Sequence, residues 1–136
     1  MKRFAISIAV IATLLTACMP MLGKEPATEA NAIPAALQGR WGLNENDCDP
    51  ARDDNKGLMV IEARTLKFYE SRATLARVNS VEPTRIDGDF AFTGEGQSWN
   101  LRMTLEAQDA GMVLIRRDFG DDAMPGPLRY MNCEAV

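Results

Sequence analysis

The sequence predicts an all-β domain, a small antiparallel barrel or meander of about eight strands. From residue 40 onward, apolar and polar side chains alternate with a period of two, which places every second side chain on the same face of a strand. The alternating segments are separated by short stretches rich in Gly, Pro, Asp and Asn, which are typical of tight turns. No segment after residue 39 keeps a helical period over ten residues. Closure into a barrel is expected because it removes exposed strand edges.

The chain begins with a segment typical of a secretory signal peptide. Lys2 and Arg3 supply positive charge, and the apolar stretch over residues 4–15 is followed by two small residues. This stretch is shorter than the roughly 20 residues that a helix needs to cross a bilayer. We therefore assign residues 1–17 to a signal peptide.

The signal peptide ends on a cysteine. Residues 15–18 read Leu-Thr-Ala-Cys, which resembles the lipobox of bacterial lipoproteins. The resemblance implies a diacylglyceryl group on the sulfur of Cys18, cleavage just before it and acylation of the new amine. Because at least two acyl chains give stable attachment, we expect a permanent anchor. Met19 stands where an Asp would favour the inner membrane, so the expected location is the periplasmic face of the outer membrane. The alternative is an ordinary signal peptide with a chance cysteine at its end.

Residues 18–33 are expected to be the lipidated cysteine and a flexible tether, because they mix Pro, Gly, Ala, Thr and charged residues without a period. A tether of this length spans roughly 20 Å. The folded domain is predicted over residues 34–136. It opens with "PAALQG", where Pro34 at the start and Gly39 just past the end predict a single helical turn.

Two neighbouring segments show the alternation most clearly. In residues 86–93, Ile, Gly, Phe and Phe fall on one face, and in residues 99–106, Trp, Leu, Met and Leu do the same. The sequence "TGEGQS" between them predicts a hairpin loop. Further strands are predicted at residues 40–43, 58–62, 65–70, 73–81, 112–117 and 128–133.

Two cysteines remain once Cys18 is assigned to lipid. In an oxidising compartment, Cys48 and Cys133 are expected to form one disulfide. The loop that it closes has about 85 residues, for which the chain-entropy model gives an upper figure of about 4 to 5 kcal/mol. The alternative is two buried free thiols.

A second resemblance concerns the first and last predicted strands. The tripeptide Gly-Arg-Trp at residues 39–41, with Arg129 near the end of the chain, is similar to the pattern of the calycins, the lipocalins and their small relatives. The resemblance implies a structural pair at the closed end of the barrel, in which Arg129 stacks across Trp41. Cys133 shares a strand face with Arg129, so an inward Arg129 is compatible with the bridge to Cys48. The short chain implies little room inside the barrel.

Composition and charge narrow the function. Without residues 1–17 the chain has 13 basic and 19 acidic side chains, a net charge of −6. This argues against binding nucleic acid or an anionic membrane surface and favours a neutral or basic partner. The chain has no histidine, which removes Ser-His-Asp and Cys-His nucleophile arrangements and most zinc sites. We expect no enzymatic activity, no cofactor and no metal.

The candidate binding residues lie in predicted loops. Residues 44–57 are rich in carboxylates, but their spacing is not that of an EF-hand loop, so they predict a contact surface or simply a solvated loop. Tyr69 is predicted to point outward, as aromatic residues at interfaces do. The hairpin loop adds a polar rim, and residues 121–128 predict a further acidic loop. The candidates are Asp49, Asp53, Asp54, Tyr69, Glu95 and Gln97.

The segment "FYES" yields a further prediction. Phe68 and Glu70 fall on one face of the predicted strand, so an inward Phe68 implies an inward Glu70. A buried carboxylate needs a partner, for which Arg72, Arg77 and Arg102 are candidates. The alternative is that Glu70 contacts a ligand.

These observations predict a monomeric, non-catalytic binding module that uses loops at one barrel end to hold an envelope protein or a small apolar ligand. Its "GRWGL", "FYES", "GEGQSW" and "RYMNC" segments resemble small proteobacterial lipoproteins of unassigned activity, which implies the location but no chemistry. One alternative is an inhibitor of an envelope hydrolase, a protease or a lysozyme. Small periplasmic inhibitors are similar in size and barrel topology, but their inhibitory segments cannot be placed on this chain. The other is a structural accessory subunit of an outer-membrane assembly.

Overall fold

The structure, a computed structural model, describes residues 31–136. The signal peptide, Cys18 and most of the predicted tether lie outside the described residues. Each strand pairs antiparallel with the next one, and the last strand pairs with the first, so the sheet closes into a barrel. The predicted eight-stranded antiparallel barrel is thereby confirmed. The strands are β1 (Gly39–Gly42), β2 (Met59–Ile61), β3 (Thr65–Lys67), β4 (Ser71–Glu82), β5 (Arg85–Gly94), β6 (Gln97–Gln108), β7 (Val113–Phe119) and β8 (Leu128–Asn132).

The hairpin of β5 and β6 follows the predicted alternation. Its inward side chains are buried, except Trp99, which is half-buried and pairs with Phe92 across the hairpin. Glu95 and Gly96 form the turn with φ angles of 49° and 76°. Positive φ at both central residues gives a turn whose twist matches that of the flanking strands. The predicted hairpin is confirmed.

Alternating strand directions give the barrel two different ends. Four connections lie at one end, which we call the loop end: residues 43–58, 68–70, 95–96 and 120–127. The other end, which we call the entry end, contains the short connections β2–β3, β4–β5 and β6–β7. The described chain also enters the barrel there, since the backbone N–H of Ile33 donates to the carbonyl oxygen of Ala63 in the β2–β3 connection, at 2.8 Å.

Apolar side chains fill the entry end. The predicted helical turn is a 3₁₀ turn, Ala35–Leu37, and Leu37 is fully buried. The indole Nε1 of Trp41 donates to the carbonyl oxygen of Leu37 at 2.8 Å, which satisfies a polar atom inside the core. Ile33 is 1% exposed and belongs to the core cluster. The predicted boundary between tether and domain after residue 33 is therefore wrong, since the domain includes Ile33.

The predicted disulfide is present. Cys48 and Cys133 are bonded, with their Cα atoms 5.1 Å apart. Cys48 ends a short helix, α1 (Glu45–Cys48), which packs against β1. Gly42 permits this approach, because a Cβ at this position would lie 2.9 Å from the sulfur of Cys48. The bridge thus joins the segment after β1 to the segment after β8.

The predicted stacking of Arg129 on Trp41 is wrong. The inward Trp41 pairs with Asn132, and paired residues lie on the same face of the sheet. Tyr130, two residues before Asn132, therefore also points inward, and it is 3% exposed. Arg129 lies on the opposite face and is exposed. The carbonyl group of Leu37, and not a guanidinium group, is the polar partner of the Trp41 indole.

No helix within residues 31–136 is long and apolar enough to cross a membrane.

Candidate binding surface at the loop end

The longest loop is held in shape by one buried carboxylate. Asp47, 5% exposed, accepts hydrogen bonds from the backbone N–H groups of Asn44 at 3.2 Å and Gly57 at 3.0 Å. The side chain of Asn44 in turn accepts from the N–H of Asp47, which completes a capping box for α1. A Cβ at position 57 would collide with the Asp47 carboxylate. Asp47 therefore has a structural role, and it ties both ends of the loop together.

The predicted acidic candidates of this loop point into solvent. Asp49, Asp53 and Asp54 are all exposed. Asp49 accepts from the backbone N–H of Ala51 at 2.9 Å, and Asp54 forms a two-pronged pair with Arg52, with both distances 2.9 Å. Hydrogen bonding to Arg52 lowers the pKa of Asp54 below its usual range. Asp54 is therefore ionised at neutral pH, and all three carboxylates face solvent.

Tyr69 lies beside this acidic loop. The residue is 46% exposed, as expected for an outward side chain, and the ammonium nitrogen of Lys56 lies 5.5 Å from the ring centroid. This cation–π contact connects the long loop to the β3–β4 connection. The structure therefore brings Tyr69 next to the loop that carries the acidic candidates.

The prediction of an inward Glu70 is wrong. Strand β3 ends at Lys67, so the alternation does not continue through Phe68 to Glu70. Phe68 packs against the core, whereas Glu70 is exposed. Two of its predicted partners pair elsewhere: Arg77 with Asp89, and Arg102 with Asp87.

The hairpin candidates share the same end of the barrel. Glu95 and Gln97 are exposed at the turn between β5 and β6. Ser71 pairs with Gly94, so this hairpin lies directly beside the β3–β4 connection that contains Tyr69. The β7–β8 connection, which contains the predicted acidic loop, completes the loop end.

Charge is distributed unevenly between the loop end and the rest of the domain. The four connections of the loop end carry nine acidic and two basic side chains, a net charge of −7. The remainder of residues 31–136 carries eight acidic and ten basic side chains, a net charge of +2. Exposed large apolar side chains lie among these acidic groups or next to them, namely Leu43, Tyr69, Phe119 and Met124. Acidic groups around apolar and aromatic side chains suit a basic protein surface.

Sequence reasoning missed a charged pair inside the barrel. Arg116 and Asp118 alternate with Leu114 on the inward face of β7, and their side chains are 10% and 1% exposed. Two hydrogen bonds of 2.7 and 2.8 Å join the guanidinium group to the carboxylate. One sequence signal could have revealed them: Arg116 and Asp118 follow Leu114 at intervals of two residues, which places all three side chains on the same face of the strand.

Aromatic rings surround this ion pair. The guanidinium carbon of Arg116 lies 5.0 Å from the ring centroid of Phe68, and Phe68 stacks on Phe92 at 5.8 Å. Burial is the largest single effect and lowers the pKa of Arg116, but the hydrogen bonds and charge of Asp118, together with Tyr130, outweigh it, so the net shift is upward. Burial also raises the pKa of the Tyr130 hydroxyl above its ordinary value, against the opposing effect of Arg116. Arg116 therefore stays charged, and its two hydrogen bonds to Asp118 fix both side chains beneath the loop end.

Within the described part of the chain, no group of three or more Cys, Asp or Glu side chains is arranged to hold a metal ion. The fold and the site together define a small, disulfide-bonded, closed antiparallel β-barrel with an acidic loop end. Comparison of the chain with protein-family models, with curated proteins and with solved structures finds no match.

Proposed function

We propose that this protein is a lipid-anchored lipoprotein of the outer membrane, and that its barrel is a non-catalytic binding module facing the periplasm. The sequence "LTAC" at residues 15–18 supports the anchor at Cys18. The loop end is the binding face, and its partner is a protein with a basic surface.

The observation that carries this proposal is the position of the acidic loops relative to the entry of the chain. The described chain reaches the barrel at Ile33, at the entry end. Cys18 precedes Ile33 by fifteen residues, so a tether with an average span of roughly 20 Å joins the lipid anchor to the entry end. The loop end then projects away from the lipid, where a soluble or membrane-embedded partner can reach it.

The packing inside the barrel favours a protein partner over an enclosed apolar ligand. Trp41, Phe90, Met103 and Leu105 are at most 1% exposed and belong to one core cluster. At eight strands, a barrel interior is just wide enough to be filled by such side chains. The exposed groups that remain for recognition are those of the loop end.

The lipid anchor is tested by labelling cells with a palmitate analogue. The wild-type protein is expected to incorporate the label, and Cys18→Ser is expected to abolish incorporation and release the protein from the membrane fraction. Wild-type protein without label would refute the anchor.

The binding face is tested by capture from an envelope extract. The bait is the purified domain, compared with the triple variant Asp53→Asn/Asp121→Asn/Asp122→Asn. The matched control, Glu82→Gln/Asp109→Asn/Glu134→Gln, removes three charges outside the loop end. We expect the loop-end variant to lose the captured protein and the control to retain it, with capture by the wild type weakening as salt increases.

Equal capture by both variants would show that the loop end is not the binding face. A captured hydrolase that loses activity on binding would identify an inhibitor, and a stable large complex would identify an accessory subunit. These are the two alternatives that the sequence left open.

A further inference from the structure

Aromatic and aliphatic side chains lie in one connected layer beneath the loop end. Trp99 stacks on Phe92 with the ring centroids 5.2 Å apart, and Phe92 stacks on Phe68 at 5.8 Å. The guanidinium group of Arg116 lies over Phe68, and Arg116 pairs with Leu128. These contacts connect β6, β5, the β3–β4 connection, β7 and β8. We call Trp99, Phe92, Phe68 and Leu128 the mouth layer.

The mouth layer is only partly covered. Phe68, Trp99 and Leu128 are half-buried, although all three pack against the core. Inward side chains farther from the loop end on β5 and β6, such as Phe90 and Met103, are fully buried. The exposure of inward side chains therefore rises toward the loop end. Accessible aromatic and aliphatic side chains of this kind are typical of the centre of a protein–protein contact.

The half-buried members of the mouth layer lie in or next to loop-end connections that carry exposed carboxylates. These connections are residues 68–70, 95–96 and 120–127, and their carboxylates, which we call the acidic rim, belong to Glu70, Glu95, Asp121 and Asp122. The three connections contain no basic side chain. An apolar centre within an acidic rim is complementary in charge to a segment whose apolar side chains are flanked by basic ones.

We propose that the mouth layer is the centre of the binding face, and that it binds a basic amphipathic segment of the partner protein. This inference rests on the proposed function and adds a requirement to it. The partner supplies apolar side chains that contact Phe68, Trp99 and Leu128, and its Lys or Arg residues lie against the acidic rim. Two hydrogen bonds from Arg116 to Asp118 hold the guanidinium group that lies over Phe68, so the mouth layer rests on a fixed support.

The test is the binding of three synthetic peptides to the mature chain carrying Cys18→Ser, measured by fluorescence anisotropy of a dye on the peptide. The first peptide contains lysine and leucine, the second replaces leucine by serine, and the third replaces lysine by glutamate. We expect the Lys–Leu peptide to bind about tenfold tighter or more than the Lys–Ser peptide, because its leucine side chains are buried against the mouth layer. The Glu–Leu peptide should not bind, because the acidic rim repels it.

Two variants locate the contact. Trp99→Ala and Leu128→Ala are each expected to weaken binding of the Lys–Leu peptide about fivefold or more and to leave the Lys–Ser peptide unaffected. The matched control is Met112→Ala, which removes an apolar side chain that is 49% exposed at the entry end and should change neither affinity. Circular dichroism checks the folding of each variant. If Trp99→Ala does not fold, Leu128→Ala and the three peptides decide.

Equal affinity for the Lys–Leu and Lys–Ser peptides would overturn this inference and leave the proposed acidic binding face standing. Equal affinity for the Lys–Leu and Glu–Leu peptides would overturn it together with the basic partner. Absence of binding by the Lys–Leu peptide, or binding that the folded variants leave unchanged, would show that the mouth layer is not the contact. Capture from the envelope extract tests the proposed function independently of these peptides.

Discussion

The two ends of the barrel are built from different kinds of side chain. At the entry end, Ile33, Leu37 and Trp41 are at most 1% exposed, and a single hydrogen bond satisfies the indole. At the loop end, the four connections carry nine acidic side chains, of which only Asp47 is buried, and they also contain exposed apolar side chains such as Leu43 and Met124. The contrast teaches that one small barrel can close its two ends by different means. Apolar burial closes the entry end, whereas the loop end exposes charge above a disulfide and a buried ion pair.

The largest expected effect comes from the disulfide, which fastens the loop-end segment around Cys48 to the end of the chain. Replacing both cysteines, Cys48→Ala/Cys133→Ala, is expected to lower the free energy of unfolding by about 4 kcal/mol, because an unfolded chain without the 85-residue loop has more conformational freedom. Urea unfolding of the oxidised protein and the double variant measures the difference. A loss below about 1 kcal/mol would show that the bridge constrains the unfolded chain little.

The buried ion pair gives the next largest effect. Asp118→Asn keeps the shape of the side chain but leaves the Arg116 guanidinium without its counter-charge, and we expect a loss of about 3 kcal/mol. The double variant Arg116→Met/Asp118→Leu removes both charges and is expected to recover most of that loss. A double variant less stable than Asp118→Asn would show that the charged groups themselves stabilise the packing of the surrounding aromatic rings.

The same substitution at the two ends compares them directly. Leu37→Ala, at the entry end, is expected to cost about 2.5 kcal/mol, because it removes a fully buried side chain and leaves a cavity. Leu43→Ala, at the loop end, should change stability by less than about 0.5 kcal/mol, because Leu43 is 43% exposed. Thermal or urea unfolding measures both. Equal effects would contradict the division between the two ends.

The smallest effect concerns pH. Hydrogen bonding to Arg102 lowers the pKa of Asp87, whose side chain is 10% exposed, below its ordinary value. A lowered pKa in the folded state gives stability that is fully present above the unfolded value, near pH 3.9, and is lost as the pH falls further. Asp87→Asn should therefore cost about 1 kcal/mol at pH 6 and less at pH 2.5. Asp54→Asn, at the loop end, is the comparison.

Asp54 also has a lowered pKa, through hydrogen bonding to Arg52, but it is fully exposed. Solvent screening leaves such a pair with little effect on stability, so the pH dependence of unfolding of Asp54→Asn should match that of the wild type. Unfolding curves at the two pH values decide this. A clear loss in Asp54→Asn would show that the loop-end pair contributes to the fold as well.

Most of the strands were predictable because alternation and turn composition agree over most of the domain. The hairpin of β5 and β6, for example, follows from two alternating segments around "TGEGQS". The disulfide followed from counting cysteines. The first prediction depends on the local pattern and the second on the number of cysteines, and neither requires knowledge of long-range contacts.

The errors arose where the pattern alone is ambiguous. In β8, apolar residues occupy both phases, so the sequence does not distinguish an inward Tyr130 from an inward Arg129. Pairing with β1 selects Tyr130, and that pairing is a long-range fact. Arg116 and Asp118 were missed because charged side chains usually lie outside, and only their mutual contact permits burial.

The two tryptophans of the chain lie toward different ends of the barrel and differ in burial. Trp41 is enclosed in the apolar core, whereas Trp99, stacked on Phe92 at 5.2 Å, is half-buried near the hairpin turn. The molecule therefore carries two intrinsic fluorophores with separate reporting zones. In a Trp41→Phe background, the fluorescence of Trp99 would report on changes at the loop end. In a Trp99→Phe background, the fluorescence of Trp41 would report on the buried core at the entry end.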